Sequence, residues 1–317
     1  MLLPTWLAKR HRARSSSAWV GVQMHAQHVL AARVTPPAAG GRPRVHSCHR
    51  DRASGGLPSL RAWWDRCATP RDAGALLLGA SEYQILQIDA PAVEPAEYRN
   101  AARWSLKDLI DFPVEDAALD CLRLPTNEVG GPSTKLITVV SQKSLVLDAV
   151  TQWRSSGLAL KVIDIPEMAL RNVAALATGG NACAFIHIGV DSAHLIVMWQ
   201  QELCVSRQLG MGGEQLRVLD EPSRHAQIER LALEIQRTAD AFSRQFSATT
   251  LTQLWVSSVF DAASVANLLS QQLSIEVLTF VPTDWIDFDA GAQAFDLSRR
   301  IDHTLAIGAA LRDEVAA

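Results

Sequence analysis

The sequence lacks any stretch that could cross a membrane as a helix. In its 317 residues no run of 18 or more apolar side chains occurs, the length that a transmembrane helix needs. The start, MLLPTWLAKRHRAR, places its apolar residues before its basic ones, the reverse of a secretory signal. Its Arg-rich, acid-poor character is shared with organellar transit peptides, but the strand pattern that begins at Ala18 argues against one. We expect a globular protein with an ample core.

Paired cysteines and familiar catalytic motifs are also missing. The five cysteines include no Cys-x-x-Cys pair, which excludes a zinc ribbon and favours a reducing compartment. The nine histidines show no His-Glu-x-x-His spacing, so no zinc-protease site is predicted. Ser257 and Ser258 lie outside any Gly-x-Ser-x-Gly motif, which argues against a hydrolase nucleophile. The sequence therefore predicts no catalytic residue, no metal site and no resident cofactor.

Acidic residues are absent from the first 50 positions. This segment carries eight Lys or Arg and no Asp or Glu, a charge of +8, so the remaining 267 residues carry −11 to give the total of −3. With Trp6 and its neighbouring leucines, residues 1–17 read either as a basic tail that contacts an anionic membrane or as a solvated tail. Because the segment has no interleaved aromatic platform, we predict no nucleic-acid binding.

Alternating strand and helix patterns predict an α/β protein with an internal duplication of topology. Each half begins with a strand hairpin, residues 18–34 and 182–200, and continues into helices. Residues 35–59, rich in Pro, Gly, Arg and Ser, predict a loop with at most a short strand near residues 44–48. The further predicted helices cover residues 60–68, 94–111, 142–157, 166–178, 222–246, 261–273 and 301–311.

The second hairpin is the most informative segment. Ile186-His187-Ile188-Gly189 reads as a buried strand followed by a glycine turn, and Gly212-Gly213 opens a helix. Strands and glycine turns of this kind bring backbone N–H groups up to phosphate in nucleotide-binding folds. An aspartate that holds the metal is expected two residues before the glycine, where this chain has His187.

Three stretches, in this order, resemble the actin-like cytoplasmic proteins of type IV pilus assembly, the PilM type. They are YQILQIDAP leading into EPAEYRNAARWSLKDLIDFPVEDAALD, then LALKVIDIPEMA, and then the second hairpin with its GGEQL ending. The resemblance covers residues 73–311 and is nearest, within the family, to the biogenesis proteins of the mannose-sensitive haemagglutinin (MSHA) pilus.

The resemblance implies a two-lobed actin-like (ribonuclease H-like) ATPase fold with an inserted subdomain and degenerate nucleotide motifs. The expected parts are a basic tail (1–17), a first lobe in two pieces (18–80 and 148–180), the insertion (81–147), a second lobe (181–300) and a C-terminal helix that packs back on the first lobe (301–317). It further implies a cytoplasmic protein, peripheral to the inner membrane.

Residues aligned with the family's nucleotide site depart from its pattern. Gln23 stands where an Asp is expected, His25 where a Gly is expected, and His187 where the second Asp is expected, while Gly189 is kept. The later glycine-rich loop corresponds to Val256-Ser257-Ser258-Val259. Asp191 is a substitute carboxylate nearby. Together these losses predict a pseudo-ATPase; weak nucleotide binding, and an active ATPase that couples nucleotide state to pilus assembly, are the alternatives.

A partner site is the remaining expectation from the resemblance. PilM-type proteins receive the short N-terminal cytoplasmic tail of a single-pass membrane protein beside the insertion, and contact other platform proteins. In this chain Tyr98, Trp104, Leu109 and Ile110, on the predicted helix 94–111, are the candidates for such a groove, since aromatic side chains anchor peptides. The alternatives are that these side chains form the subdomain's core, and that the chain serves a related secretion system.

Overall fold

Three β-sheets with helices packed on them make up the structure, a computed structural model that describes residues 18–25, 28–37, 41–126, 135–247, 249–293 and 301–312. The predicted basic tail, with its membrane contact, lies outside the described residues. None of the helices in these ranges combines the length and the apolarity that a membrane crossing needs.

The first sheet has six strands and contains the first predicted hairpin. β1 (Trp19–Met24) pairs antiparallel with β2 (His28–Thr35), parallel with β4 (Ala73–Leu77), and β4 in turn pairs with β8 (Leu160–Asp164). β1 and β4 read as almost continuous apolar runs because helices or other layers cover both faces of the sheet. Of these helices, α1 (Gly56–Cys67) and α3 (Lys143–Ser155) bury Trp64 and Trp153 against each other.

The second sheet contains the second predicted hairpin. β9 (Cys183–Ile188) and β10 (Ala193–Trp199) form the hairpin, and β11 (Glu202–Leu209) extends it at one edge. On the other side β9 pairs parallel with β12 (Gln253–Ser258), which pairs with β13 (Glu276–Thr279). Its helices are α5 (Gly213–Val218), α6 (Glu221–Gln245) and α7 (Ala262–Ser270). Asp220 caps α6 by accepting a 3.2 Å hydrogen bond from the Ser223 N–H, as N-cap aspartates do.

The third sheet is the predicted insertion. β7 (Lys135–Gln142) lies between β5 (Gln84–Asp89) and β6 (Ala117–Arg123), antiparallel to both. One face of this sheet packs on α2 (Tyr98–Leu106), where Ala102 and Leu106 are completely buried. The other face joins the main core through Ala118, Ile137 and Val139.

The C-terminal segment returns to the first sheet. α9 (Thr304–Ala310) lies against β1 and α4 (Pro166–Thr178), and a Cβ atom at Gly21 would come within 1.9 Å of the Ala306 carbonyl oxygen. A Cβ atom at Gly308 would come within 2.1 Å of the Ala169 carbonyl oxygen. The small side chains of α9 therefore permit backbone-to-backbone packing.

The structure differs from the sequence expectation in three elements. β3 (Arg44–Arg52) is a nine-residue strand where a loop with a short strand was expected. α2 ends at Leu106, well before residue 111. β14 (Asp287–Phe288) pairs with β3, and α8 (Ala290–Gln293) follows it, so the chain re-enters the first sheet before the expected boundary at residue 300.

Candidate functional site

Five of the residues aligned with the nucleotide site meet in one cleft between the two large sheets. Gln23 is the last residue but one of β1, and His187 is the last but one of β9. Gln23, His25, His187, Gly189 and Asp191 all line this cleft.

Several further side chains line the same cleft. These are His28 and Leu30 of β2, Arg50 of β3, His194 of β10, and Asp302 and Leu305 from the C-terminal segment. His194 pairs with His187 directly across the hairpin. Because residues 189–192 form the turn, counting outwards from it would have found this histidine from the sequence.

His187 is a buried, neutral imidazole. It is 2% exposed, and its Nδ1 lies 3.1 Å from Ser257 Oγ. Burial, reinforced by His194 and His25, lowers the pKa of His187 from 6.5 to about 3, since a low-dielectric environment disfavours the charged form. An aspartate at this position would supply a negative oxygen for Mg²⁺, whereas His187 supplies no charge near neutral pH.

His25 lies at the mouth of the cleft and is more exposed. Burial lowers the pKa of His25, against the opposing influence of the Asp191 carboxylate. Asp191 is exposed at the rim, and at the other end Asp302 is paired with Arg50. Among the described residues no group of three or more His, Cys, Asp or Glu side chains has metal-binding geometry. The donor set here therefore does not fit a magnesium ion with its nucleotide.

The space inside the cleft is very small. Its volume is about 20 Å³, roughly room for a single water molecule, whereas ligand pockets typically enclose about 300–1,000 Å³. Gln23, His187 and His194 are each less than 10% exposed and occupy the space between the strand ends. In this conformation the cleft is filled by the protein's own side chains.

The retained glycines serve internal packing. Gly213 N–H donates a 2.7 Å hydrogen bond to the Gly189 carbonyl oxygen. A Cβ atom at Gly212 would come within 2.1 Å of the Val190 carbonyl oxygen, and one at Gly213 within 2.4 Å of Val259 Cγ2. The start of α5 is thus locked onto the hairpin turn, and the Gly213 N–H is not free to bind an anion.

The two serines at the end of β12 also have structural partners. Ser257 is fully buried against His187, as described above. Ser258 Oγ accepts a 3.1 Å hydrogen bond from the Phe260 N–H and ends the strand. Neither serine lines the cleft.

A buried polar chain joins the cleft to the inserted subdomain. Tyr83, just before β5, donates a 2.7 Å hydrogen bond from its hydroxyl to Glu167 Oε2 on α4. The other oxygen, Glu167 Oε1, lies 3.7 Å from His194 Nδ1 on β10, and both side chains are about 95% buried. Burial and the Glu167 carboxylate raise the pKa of Tyr83 far above its usual value. A hydrogen bond thus connects the insertion to the first lobe, and His194 of the second lobe lies beside the same carboxylate, although its Nδ1 makes no hydrogen bond among the described residues. The sequence did not reveal this arrangement.

The four partner-site candidates have different environments. Trp104 is 82% exposed and Leu109 is 52% exposed, so both are available at the surface. Ile110 is buried in the subdomain's core, and Tyr98 packs half-buried against that core. Ile110, and in part Tyr98, therefore belong to the subdomain's core, whereas the described residues of the subdomain leave most of Trp104 uncovered.

Two sheets that each carry a hairpin, and that face each other across a cleft, define the class of actin-like ATPase folds, as predicted. No family model and no curated protein matches the sequence. The fold, however, is similar to that of solved structures. A chain of a PilM–PilN type IV pilus biogenesis complex has a TM-score of 0.70 at 17% identity, over 94% of this chain and 98% of that one. The cytoplasmic domain of EpsL, an inner-membrane component of the type II secretion system of Vibrio cholerae, has a TM-score of 0.51 at 13% identity, over 92% and 95% of the two chains.

Proposed function

We propose that this chain is a non-enzymatic, cytoplasmic scaffold of the inner-membrane platform that assembles a type IV pilus. The observation that carries the proposal is the likeness of nearly the whole chain, insertion included, to a PilM–PilN pilus biogenesis complex. The three sequence stretches described above further favour the MSHA type of pilus, with MshI as the corresponding biogenesis protein. The chain would lie at the inner membrane peripherally and contact other platform proteins.

Its mechanism is recognition of a partner's tail. A short N-terminal cytoplasmic tail of a single-pass membrane protein binds to the first lobe beside the inserted subdomain. The Tyr83–Glu167–His194 chain lies at this junction, since it begins at the first residue before β5 and ends in the second lobe. A ligand at the insertion would therefore lie near the hydrogen bond that ties Tyr83 to α4 of the first lobe.

Capture of the partner tests this role. The full chain is immobilised and exposed to a detergent extract of membranes from the producing cell, and the bound proteins are identified by mass spectrometry. We expect one single-pass protein, held through its N-terminal tail and released by a synthetic peptide of that tail. Failure to bind any such protein, in extracts that contain the assembled pilus machinery, would count against the proposal.

The absence of phosphoryl transfer is part of the proposal. It is supported by the neutral His187, by the small cleft volume of about 20 Å³ and by the glycines that pack on protein. Calorimetric titration with Mg-ATP, together with a phosphate-release assay, tests it. We expect neither heat of binding nor turnover; hydrolysis that is lost on substitution of cleft residues would establish an actin-like ATPase instead.

A second candidate is a platform component of a type II secretion system. The likeness to the cytoplasmic domain of EpsL favours it, although the TM-score is lower than for the pilus complex. The same capture experiment separates the two, because the membrane protein that binds belongs either to a pilus or to a secretion system. The neighbouring genes give an independent answer.

A further inference from the structure

An exposed indole on the inserted subdomain has acidic neighbours. Trp104, on α2, is 82% exposed. Glu97 lies in the 3₁₀ turn that precedes α2 and Asp108 in the turn that follows it, so one carboxylate lies at each end of the short helix that carries the indole. Both acids are exposed. We call Glu97, Trp104 and Asp108 the Trp104 face.

The charge around this face is acidic and largely unneutralised. Residues 94–116 contain six exposed carboxylates, and none of them forms an ion pair with another residue in the described ranges: Glu94, Glu97, Asp108, Asp111, Glu115 and Asp116. Of the three bases of this segment, only Arg99 is neutralised, by Asp120 at 2.7 Å. Arg103 donates to the Val114 carbonyl oxygen at 2.7 Å and keeps its charge, as does Lys107. Six carboxylates therefore face two cations, and the segment stays acidic.

The charge of the Trp104 face determines which class of ligand can bind to it. An anionic membrane surface would be repelled by the carboxylates. A Lys or Arg side chain would instead stack its cation on the indole and have its charge balanced by Glu97 and Asp108. Cytoplasmic segments close to a transmembrane helix are enriched in Lys and Arg, so a single-pass membrane partner supplies such side chains.

We propose that the Trp104 face binds a basic stretch of the membrane partner's cytoplasmic tail, between the part held by the first lobe and the membrane helix. This inference rests on the proposed function and adds the chemistry of the partner's second contact. The face would act as a docking surface for Lys and Arg side chains, independent of nucleotide and separate from the cleft.

Peptide binding to the full chain tests the face directly. The probe is a fluorescein-labelled hexa-arginine peptide, followed by fluorescence anisotropy at low and at moderate salt. We expect salt-sensitive binding that Trp104→Ala weakens by about two- to fivefold and that Glu97→Gln with Asp108→Asn also weakens. The matched control is Glu221→Gln with Asp240→Asn, the same change of charge at two exposed acids of α6. Unchanged thermal midpoints verify that each variant folds.

Wild-type affinity in the Trp104→Ala variant, or an equal loss in the control pair, would overturn the inference, because binding would then follow net charge alone. A labelled peptide of residues 1–17 is the second probe. Tighter binding of this peptide than of hexa-arginine, abolished by Trp104→Ala, would assign the face to the chain's own N-terminus and overturn the partner assignment.

Membrane-extract capture distinguishes failure of this inference from failure of the proposed function. If neither the wild type nor the Trp104→Ala variant retains a single-pass protein, the scaffold function itself fails. If both retain it with equal affinity and equal salt dependence, the scaffold function stands and the Trp104 face is excluded. Retention by the wild type that weakens in the variant supports both.

Discussion

His187 makes the stability of this protein depend on pH, and replacing it tests our description of the cleft. The folded protein holds His187 neutral, with a pKa of about 3, whereas the unfolded chain has a value near 6.5. Because the folded pKa is the lower of the two, the contribution of His187 to the free energy of unfolding is fully present above pH 6.5. This contribution is lost as the pH falls from the pKa of the unfolded chain towards that of the folded protein, since protons bind the unfolded state preferentially.

The expected loss follows from the two pKa values. Between about pH 7.5 and about pH 5 the unfolded imidazole becomes almost fully protonated and the folded one does not, which removes about 2 kcal/mol of stability. In His187→Asn the side-chain amide takes the place of Nδ1 beside Ser257 Oγ and does not titrate. The variant is expected to be less stable at both pH values, but its loss on acidification should be smaller by about 2 kcal/mol.

Urea denaturation followed by circular dichroism measures this difference. The wild type, His187→Asn and His225→Asn are unfolded at both pH values under the same ionic conditions. His225 is a suitable control because it is partly exposed on α6, outside the cleft. The other histidines of the cleft are present in all three proteins, so their contributions cancel in the comparison.

An equal loss of stability in the wild type and in His187→Asn would refute the reasoning. It would mean that His187 is not held neutral by burial, and therefore that the cleft is open to water. A reduced loss in His225→Asn of the same size would likewise remove the specific role of the cleft histidine. The comparison requires that the free energy of unfolding depend on urea concentration with the same slope in all three proteins. If the slopes differ, calorimetry of thermal unfolding at the two pH values measures the loss of stability instead.

Two further substitutions test the packing described above. Tyr83→Phe removes the hydroxyl donor of the buried Glu167 carboxylate, and we expect it to lower the free energy of unfolding by about 1–3 kcal/mol, measured by urea titration; no change would mean that water replaces the hydroxyl. Gly308→Ala forces a methyl group against the Ala169 carbonyl oxygen and should cost at least about 1–3 kcal/mol, whereas the control Gly210→Ala, whose Cβ meets nothing within 4 Å, should leave the thermal midpoint almost unchanged. Equal effects of the two alanines would contradict the packing of α9.

Most of the fold could be predicted from local patterns because the two hairpins and the longer helices bury regular apolar faces. β3 could not, since only Val45 and Cys48 of its nine residues are buried. This strand exists because β2 and β14 pair with it, which the local sequence does not encode. α2 was predicted too long because Leu109 and Ile110 continue its apolar spacing, although the helix has already ended at Leu106.

The candidate site could be predicted only in part, for a similar reason. Gln23, His25 and His187 lie at strand ends that the resemblance aligns, so their proximity follows from the fold. Arg50 and Asp302 come to the cleft from segments 252 residues apart in the sequence, and no local motif marks them. The filling of the cleft depends on how large side chains from both sheets meet, which is a property of tertiary packing.

The packing of α9 has a consequence for how the chain is made. Gly21 of β1 lies against Ala306, 285 positions later, and β14 completes the sheet edge at β3. During synthesis the N-terminal strands emerge first, and Ala306 is added only after 284 intervening residues. Contacts of such large sequence separation slow folding. The first sheet therefore stays incomplete until residues 287–310 have been synthesised, and a chain truncated before them would expose the faces and the edge that they cover.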